Sequence, residues 1–388
     1  MVRRARWVSR ARRARGAHAT RRGAWFTLLL ATCSLLPALR AGALPRYSAR
    51  YEQNCSLCHV NPSGGGMRSS YATQQLIPRE IAMSPATPEA MGLLDAHLGK
   101  NVSIGTDFRE LFIAATANAA LAPPQGFFPM QGDVYLSFQL DPKYLLYYNR
   151  GLSTTYEVWG LAHVLPWDGY VKAGRFVPAY GWKFDDHTMF VRSELGFTPP
   201  AIFDGGIEVG LSPKVGDLTF DLVNGSRGGT LDDDRRLATS LNLSGRFKAG
   251  PLVAQAGLEG YSHPGLTEDL NTGGAFGYLS GWNVTWVGQG DFVRRDPAAA
   301  PAVTGVVTSH ELSYLVRQGV ELLGTYDFFD PDRSLRTGAK SRWGGGLMVM
   351  PRAFLVASAQ FRHTRIDPGP ALSGRDFDEG LFQLHFLY

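Results

Sequence analysis

The sequence predicts an all-β chain: a transmembrane antiparallel β-barrel of about sixteen strands behind a small N-terminal α/irregular segment. Three observations predict the barrel. Apolar and polar residues alternate at period two through residues 101–388, short turns alternate with longer connections, and the last strand alternates up to a terminal aromatic, Tyr388. Composition agrees. Among 388 residues, 44% are apolar and 12% aromatic, which excludes a disordered chain. No run of eighteen apolar residues follows the N-terminus, which excludes a helical membrane protein.

Residues 1–43 read as an export signal peptide. Arg3 to Arg22 form a basic region, Trp25 to Leu39 a mostly apolar stretch too short to span a bilayer, and Ala41-Gly42-Ala43 a small-residue cleavage site. This leader holds ten Arg and no acid; without it 29 basic residues face 34 acidic ones, a net charge of −5. The basic balance of the whole chain is therefore no sign of nucleic-acid binding.

Beyond the leader only Cys55 and Cys58 remain, in Cys55-Ser56-Leu57-Cys58-His59. This is the C-x-x-C-H of c-type haem attachment: two thiols one helical turn apart each add to a vinyl group, and the adjacent imidazole becomes the proximal iron ligand. A short disulfide, a thioredoxin-like pair and half a zinc site are the alternatives. No βαβ pattern surrounds the motif and no second Cys pair exists, so one covalent haem c is the favoured reading. The distal ligand stays open among Met67, Met83, Met91 and His97. Thr87-Pro88-Glu89 predicts a helix start that puts Met91 and His97 on different faces. Asn61 to Gly66, with three glycines, predicts a turn in which backbone passes close to something bulky, a haem edge or an ordinary neighbour. Residues 44–100 form the haem segment and are too few to cover a porphyrin alone, so residues 101–388 are expected to shelter it.

Within that stretch Val134, Leu136, Phe138 and Leu140 alternate with Asp133, Tyr135, Ser137 and Gln139, and comparable runs surround Phe220, Leu241, Leu258, Tyr326 and Phe361. Short turns are expected near Asp141-Pro142, Trp167-Asp168-Gly169, Pro213-Lys214, Lys248 to Pro251, Gly281 to Asn283, Gln318-Gly319 and Met350-Pro351. Longer connections are expected at 117–130, 178–202, 225–236, 263–273, 296–304, 330–337 and 366–376, with a brief break near Arg150-Gly151. Sixteen strands result, with both barrel ends at the short-turn rim. Phe382, Leu384, Phe386 and Tyr388 project to one side, and this ending resembles the recognition signal of bacterial outer-membrane barrels.

An exported chain with Cys55 to His59 ahead of a barrel resembles the fused monohaem cytochrome–porins, a family that includes outer-membrane iron oxidases. The resemblance implies thioethers at Cys55 and Cys58, iron ligation by His59, a bacterial outer-membrane location, and electron passage between a periplasmic carrier and an external donor or acceptor such as iron. The chain departs from the family after the motif, where Asn61-Pro62 and the glycines replace its Phe-Pro and Phe-Gly-Arg elements. Val171 to Phe176 and Ala179-Tyr180-Gly181 resemble a stretch of general and anion-selective porins.

Three functions follow as alternatives. The first is an electron conduit whose haem segment plugs the barrel. The second is a diffusion porin with a peripheral haem segment, in which Arg246, Lys248, Arg362, Lys172 and Arg175 tune passage against Glu157, Asp221, Glu259 and Asp327. The third is a sheath for a separate cytochrome. Asp185-Asp186-His187 and Asp232-Asp233-Asp234 are expected in solvated outer loops, with cation binding as the other reading.

Overall fold

The computed structural model describes residues 44–85, 87, 89, 92, 94–116, 125–151, 156–198, 202–229, 235–370 and 374–388. The expected leader (1–43), Pro88 of the expected helix start, Met91, and Asp232-Asp233-Asp234 lie outside these residues.

The strands are β1 (Val102–Ala115), β2 (Gly126–Asp141), β3 (Tyr144–Gly151), β4 (Tyr156–Leu165), β5 (Gly169–Phe176), β6 (Asp204–Leu211), β7 (Gly216–Val223) and β8 (Ala238–Ala249), followed by β9 (Leu252–His263), β10 (Glu268–Gly281), β11 (Val284–Pro297), β12 (Val303–Arg317), β13 (Val320–Asp330), β14 (Lys340–Arg352), β15 (Leu355–Ile366) and β16 (Phe377–Leu387). Each pairs antiparallel with its sequence neighbours, and β1 pairs with β16 to close the barrel. Closure leaves no unpaired strand edge, which is the condition for β-structure in lipid. At the seam Phe108 lies opposite Phe386 and Phe112 opposite Phe382.

The period-two pattern sorts as expected. On β3, Leu146 and Tyr148 face outward while Leu145, Tyr147 and Asn149 are buried inside; on β9, Leu258 faces outward while Gln255 and Glu259 are buried. The interior is lined by ion pairs such as Lys172–Glu208 at 2.8 Å and Arg342–Asp327 at 2.8 Å. The outward face is apolar, as lipid requires.

The seven short turns join the strands at one rim, where the barrel also begins and ends: the Thr106 N–H donates to the Tyr388 carbonyl at 2.9 Å. Trp282 and Asn283 both take positive φ, the mirror-image turn that matches strand twist. The reversal expected at Met350-Pro351 falls later, at Ala353 and Phe354, after a register shift between Val349 and Arg352. The shift lets Pro351, which lacks an N–H, sit in the strand end.

Two segments fill the lumen. From the short-turn rim, residues 44–85 enter as a plug with brief helical turns at Leu44–Ser48, Ala49–Tyr51 and Cys55–Cys58 and a wider helix at Ala72–Ile81. Arg46 bonds Glu311 at 2.9 Å, Arg50 pairs with Glu321 and donates to Ser313 at 3.0 Å, and Glu52 pairs with Lys248. The chain leaves past Gln318, which donates to the Ala82 carbonyl at 2.8 Å, and His97 forms a bridge with Ser103 ahead of β1.

From the opposite side the connection after β5 folds inward, where the sequence predicted an outer loop over 178–202. Its backbone amides find strand side chains: Ala179 donates to Asp221 at 2.9 Å, Trp182 to Gln289 at 2.8 Å and Phe190 to Asp327 at 3.1 Å. Gly181, at φ 49, lies against Gln289, which a Cβ there would strike. Arg342 and Arg362 hold Thr188 from the far wall.

Candidate functional site

Asn54 caps the turn that carries the motif, with its side chain accepting from the Ser56 N–H at 3.5 Å, and the His59 N–H donates to the Cys55 carbonyl at 2.9 Å. The chain then reverses. Val60 N–H donates to the Met67 carbonyl at 3.0 Å, Ser69 N–H to the Cys58 carbonyl at 2.9 Å, and His59 bridges Arg68. Gly64, Gly65 and Gly66, all at positive φ, make the reversal feasible. The bulky neighbour that the glycines approach is the barrel wall: a Cβ on Gly66 would lie 2.5 Å from the Tyr147 hydroxyl. That hydroxyl accepts from the Met67 N–H at 3.2 Å.

Cys55 and Cys58 are both free thiols, with no disulfide between them. Three spaces adjoin the motif, and His59 lines all of them. Cys55 lines one of about 800 Å³ beside Trp182 and Lys183. Cys58 lines another of about 420 Å³ walled by Tyr47, Leu76, Ile77, Ile81 and Met350. The third, about 1880 Å³ of non-protein space, runs from His59 past Arg68 and Arg109 to His187. Sites that bury a cofactor-sized ligand enclose roughly 300–1,000 Å³; of the enclosed cavities here the third, about 460 Å³, falls in that range, whereas those beside Cys55 and Cys58 are about 90 and 30 Å³.

The chemistry of the donor set fits a haem. His59 Nδ1 is buried without a hydrogen-bond partner. Burial pulls the His59 pKa down to about 4, aided by the Arg68 guanidinium and opposed by the Gly66 backbone, so the ring is neutral near pH 7 and able to ligate. Burial likewise raises Cys55 to about 11 and Cys58 to about 12, so both stay as thiols in this structure. The Ala72–Ile81 helix supplies apolar cover with Leu76, Ile77 and Ile81.

The expected distal candidates scatter. Met67 is buried against the wall, its Cγ 3.3 Å from where a Cβ on Gly105 would sit. Met83 lies at the rim beside Gly319, with its N–H on the Met350 carbonyl at 2.9 Å. His97 is on the surface, where Nδ1 meets Asp95 at 2.6 Å and Nε2 meets Ser70 at 3.4 Å. None of these three lines the spaces around His59. The methionines that do are Met130 of β2 and Met348 and Met350 of β14. Met348 Sδ accepts from Arg46 at 3.1 Å, whereas Met350 also borders the Cys58 space. No local pattern in the sequence announces Met350, nearly three hundred residues from the motif. Arg68 was more accessible to reasoning, because a hairpin through the glycine run sets it across from His59.

Asp185-Asp186-His187, expected in a solvated loop, is folded into the lumen. Asp185 pairs with Arg109 at 2.8 Å and Asp186 with Arg362, which draws both carboxyls well below their usual range despite burial. Among the described residues no group of three or more His, Cys, Asp or Glu side chains is arranged to hold a metal ion.

No protein-family model matches the chain, and no curated protein matches it in sequence. Solved structures do. OmpT of Vibrio cholerae superposes with a TM-score of 0.56 at 9% identity, over 74% of this chain and 97% of that one. The anion-selective porin from Comamonas acidovorans gives 0.57 at 10% identity, over 74% and 99%. OprB of Pseudomonas putida gives 0.54 at 8% identity, over 75% and 95%. Together with the closed antiparallel sheet, these likenesses show that the chain has the sixteen-stranded porin fold.

Proposed function

We propose that the chain is an outer-membrane cytochrome–porin fusion that moves electrons across the outer membrane through one haem c held by Cys55, Cys58 and His59. One observation carries the reading: the C-x-x-C-H segment is lodged inside the lumen, with a neutral, unpartnered imidazole nitrogen beside open space. A haem bound there supplies a one-electron ferric/ferrous couple. The chain's own residues do the rest. The two sulfurs anchor, His59 ligates, and Leu76, Ile77 and Ile81 exclude water. Met350 is the thioether best placed to complete the ligand set, since it lines two of the spaces that His59 lines.

Lipid around the barrel insulates over a band of about 25 Å, so a redox centre at the rim would be remote from the far side. A plug inside the bore shortens the gap at both ends. A periplasmic electron carrier would meet the short-turn rim, and an external donor or acceptor, iron(II) included, the other. The diffusion-porin reading is disfavoured because inward loop and barrel wall both hold the plug in the lumen: Lys183 of the loop donates to Ser63 at 3.2 Å and Lys172 of β5 to Asn61 at 3.1 Å. The sheath reading is disfavoured because the bore holds the chain's own segment.

The test pairs a covalent-haem stain on purified protein with planar-bilayer conductance. Wild type is expected to stain and to conduct ions poorly, and the Cys55→Ala, Cys58→Ala variant to lose the stain. An unstained wild-type band with porin-like conductance overturns the proposal in favour of a diffusion porin.

A further inference from the structure

Among the described residues Arg68 is a cation without a paired anion. It stands across the His59 bridge and lines both the apolar space beside Cys58 and the large space beyond His59. Among the described residues it makes no ion pair and no side-chain hydrogen bond. The carboxylates that act on it from a distance, Asp107 and Asp185, are already engaged. Asp107 accepts from His385 at 2.7 Å and from Arg109 at 3.4 Å, and Asp185 pairs with Arg109 at 2.8 Å. The two arginines that precede the motif in the plug do have carboxylates: Arg46 has Glu311 and Glu321, and Arg50 has Glu321. The half-buried Arg68 opens onto these two spaces, where a ligand could supply its counter-charge. Its planar fork matches a carboxylate bidentately.

We propose that Arg68 binds a propionate carboxylate of the haem and, through that pair, raises the reduction potential set at His59. The inference rests on the haem reading above and adds the residue that receives the acidic edge of the macrocycle. Arg68 is a positioning residue, since it touches the cofactor's periphery rather than the iron. Its charge disfavours the ferric state. Without it the propionate charge is uncompensated, and the ferric form gains.

The experiment uses the full chain, haem-loaded, in detergent, as wild type, Arg68→Met and Arg68→Lys. All three should keep the covalent stain, because the thioethers do not depend on Arg68. Spectroelectrochemical titration should show the ferric/ferrous ratio of Arg68→Met shifted about tenfold toward ferric, about 59 mV for one electron. Arg68→Lys, which keeps the charge but not the fork, should shift less. In a haem-free Cys55→Ala, Cys58→Ala background, Arg68→Met should leave the urea midpoint unchanged or higher, since it removes an uncompensated cation. Stained variants with unshifted potentials overturn the Arg68 assignment and leave the haem reading standing. A haem-free midpoint that falls with Arg68→Met also overturns it, by showing a structural partner in the chain. A wild-type protein without haem overturns both.

Discussion

The Lys183 ammonium donates to the Gly64 carbonyl oxygen at 3.1 Å. Through that bond the inward loop clasps the plug just past the Cys55–His59 motif. Lys183 also donates to Ser63 at 3.2 Å, so one side chain fastens both residues that open the glycine reversal. Hydrogen bonds to a charged donor contribute about 1.5–3 kcal/mol each. Lys183→Met should therefore loosen the plug without unfolding the barrel, and planar-bilayer recording should show open events at least ten times more often than wild type. Unchanged conductance would mean that other contacts hold the plug.

The same lysine makes a pH prediction. Burial, with Lys172 acting alongside it and Glu208, Glu157 and Asp221 opposing, lowers the Lys183 pKa from 10.5 to about 8. Between pH 8 and 10.5 the unfolded chain binds the proton that the folded chain has released, so stability rises with pH across that window. The difference in urea midpoint between wild type and Lys183→Met should grow in favour of wild type from pH 8 to 10.5. A flat difference would refute it.

Glu321 of β13 serves two plug arginines, pairing with Arg50 and lying 3.5 Å from Arg46. Breaking a buried pair by removing one partner costs about 3–5 kcal/mol, because the other charge is left uncompensated. Glu321→Gln should lower the urea midpoint accordingly. Because Glu311 still pairs with Arg46, Arg50→Met in the same chain should recover part of the loss in a double-mutant cycle.

Gly66, at φ 67, abuts the Tyr147 hydroxyl. Gly66→Ala should cost about 1–2 kcal/mol for the left-handed backbone plus the collision. Adding Tyr147→Phe should return the collision part only, since the backbone strain is untouched. Complete rescue, read as an unfolding midpoint equal to that of Tyr147→Phe alone, would contradict the role of φ.

Met350→Leu nearly conserves volume, so the barrel should remain folded. In the haem-bearing protein proposed above, with Met350 as the sulfur ligand, the ferric spectrum should lose a sulfur-to-iron charge-transfer band and the potential should fall, because a methionine ligand raises it. Met83→Leu, at the rim, should change neither. A spectrum indifferent to Met350→Leu would remove it from the ligand set.

The sequence carried the barrel because lipid imposes a local rule: each outward residue must be apolar, so Leu146, Tyr148 and Leu258 betray their face one residue at a time. The terminal Phe382 and Phe386 marked the closing strand in the same way. The rule lapses where strands outrun the lipid. Residues 263–273 and 296–304 read as connections, yet β10 begins at Glu268 and β11 runs to Pro297. There, Arg294, Arg295 and Asp296 continue the ladder without any apolar demand on them.

The Cys55-Ser56-Leu57-Cys58-His59 motif is read from the chain alone, since its residues adjoin and the haem reading proposed for it rests on their spacing. What surrounds it is not. The inward turn of the loop after β5 depends on Asp221, Gln289 and Asp327, three acceptors on three strands that only barrel closure brings to its amides. The lack of a paired anion for Arg68 among the described residues, and the spaces that Met350 and His59 line together, depend likewise on which distant walls face the plug. Local periodicity and adjacency are properties of a sequence; the pairing or isolation of a buried charge is a property of the enclosed volume, and only the folded barrel defines that.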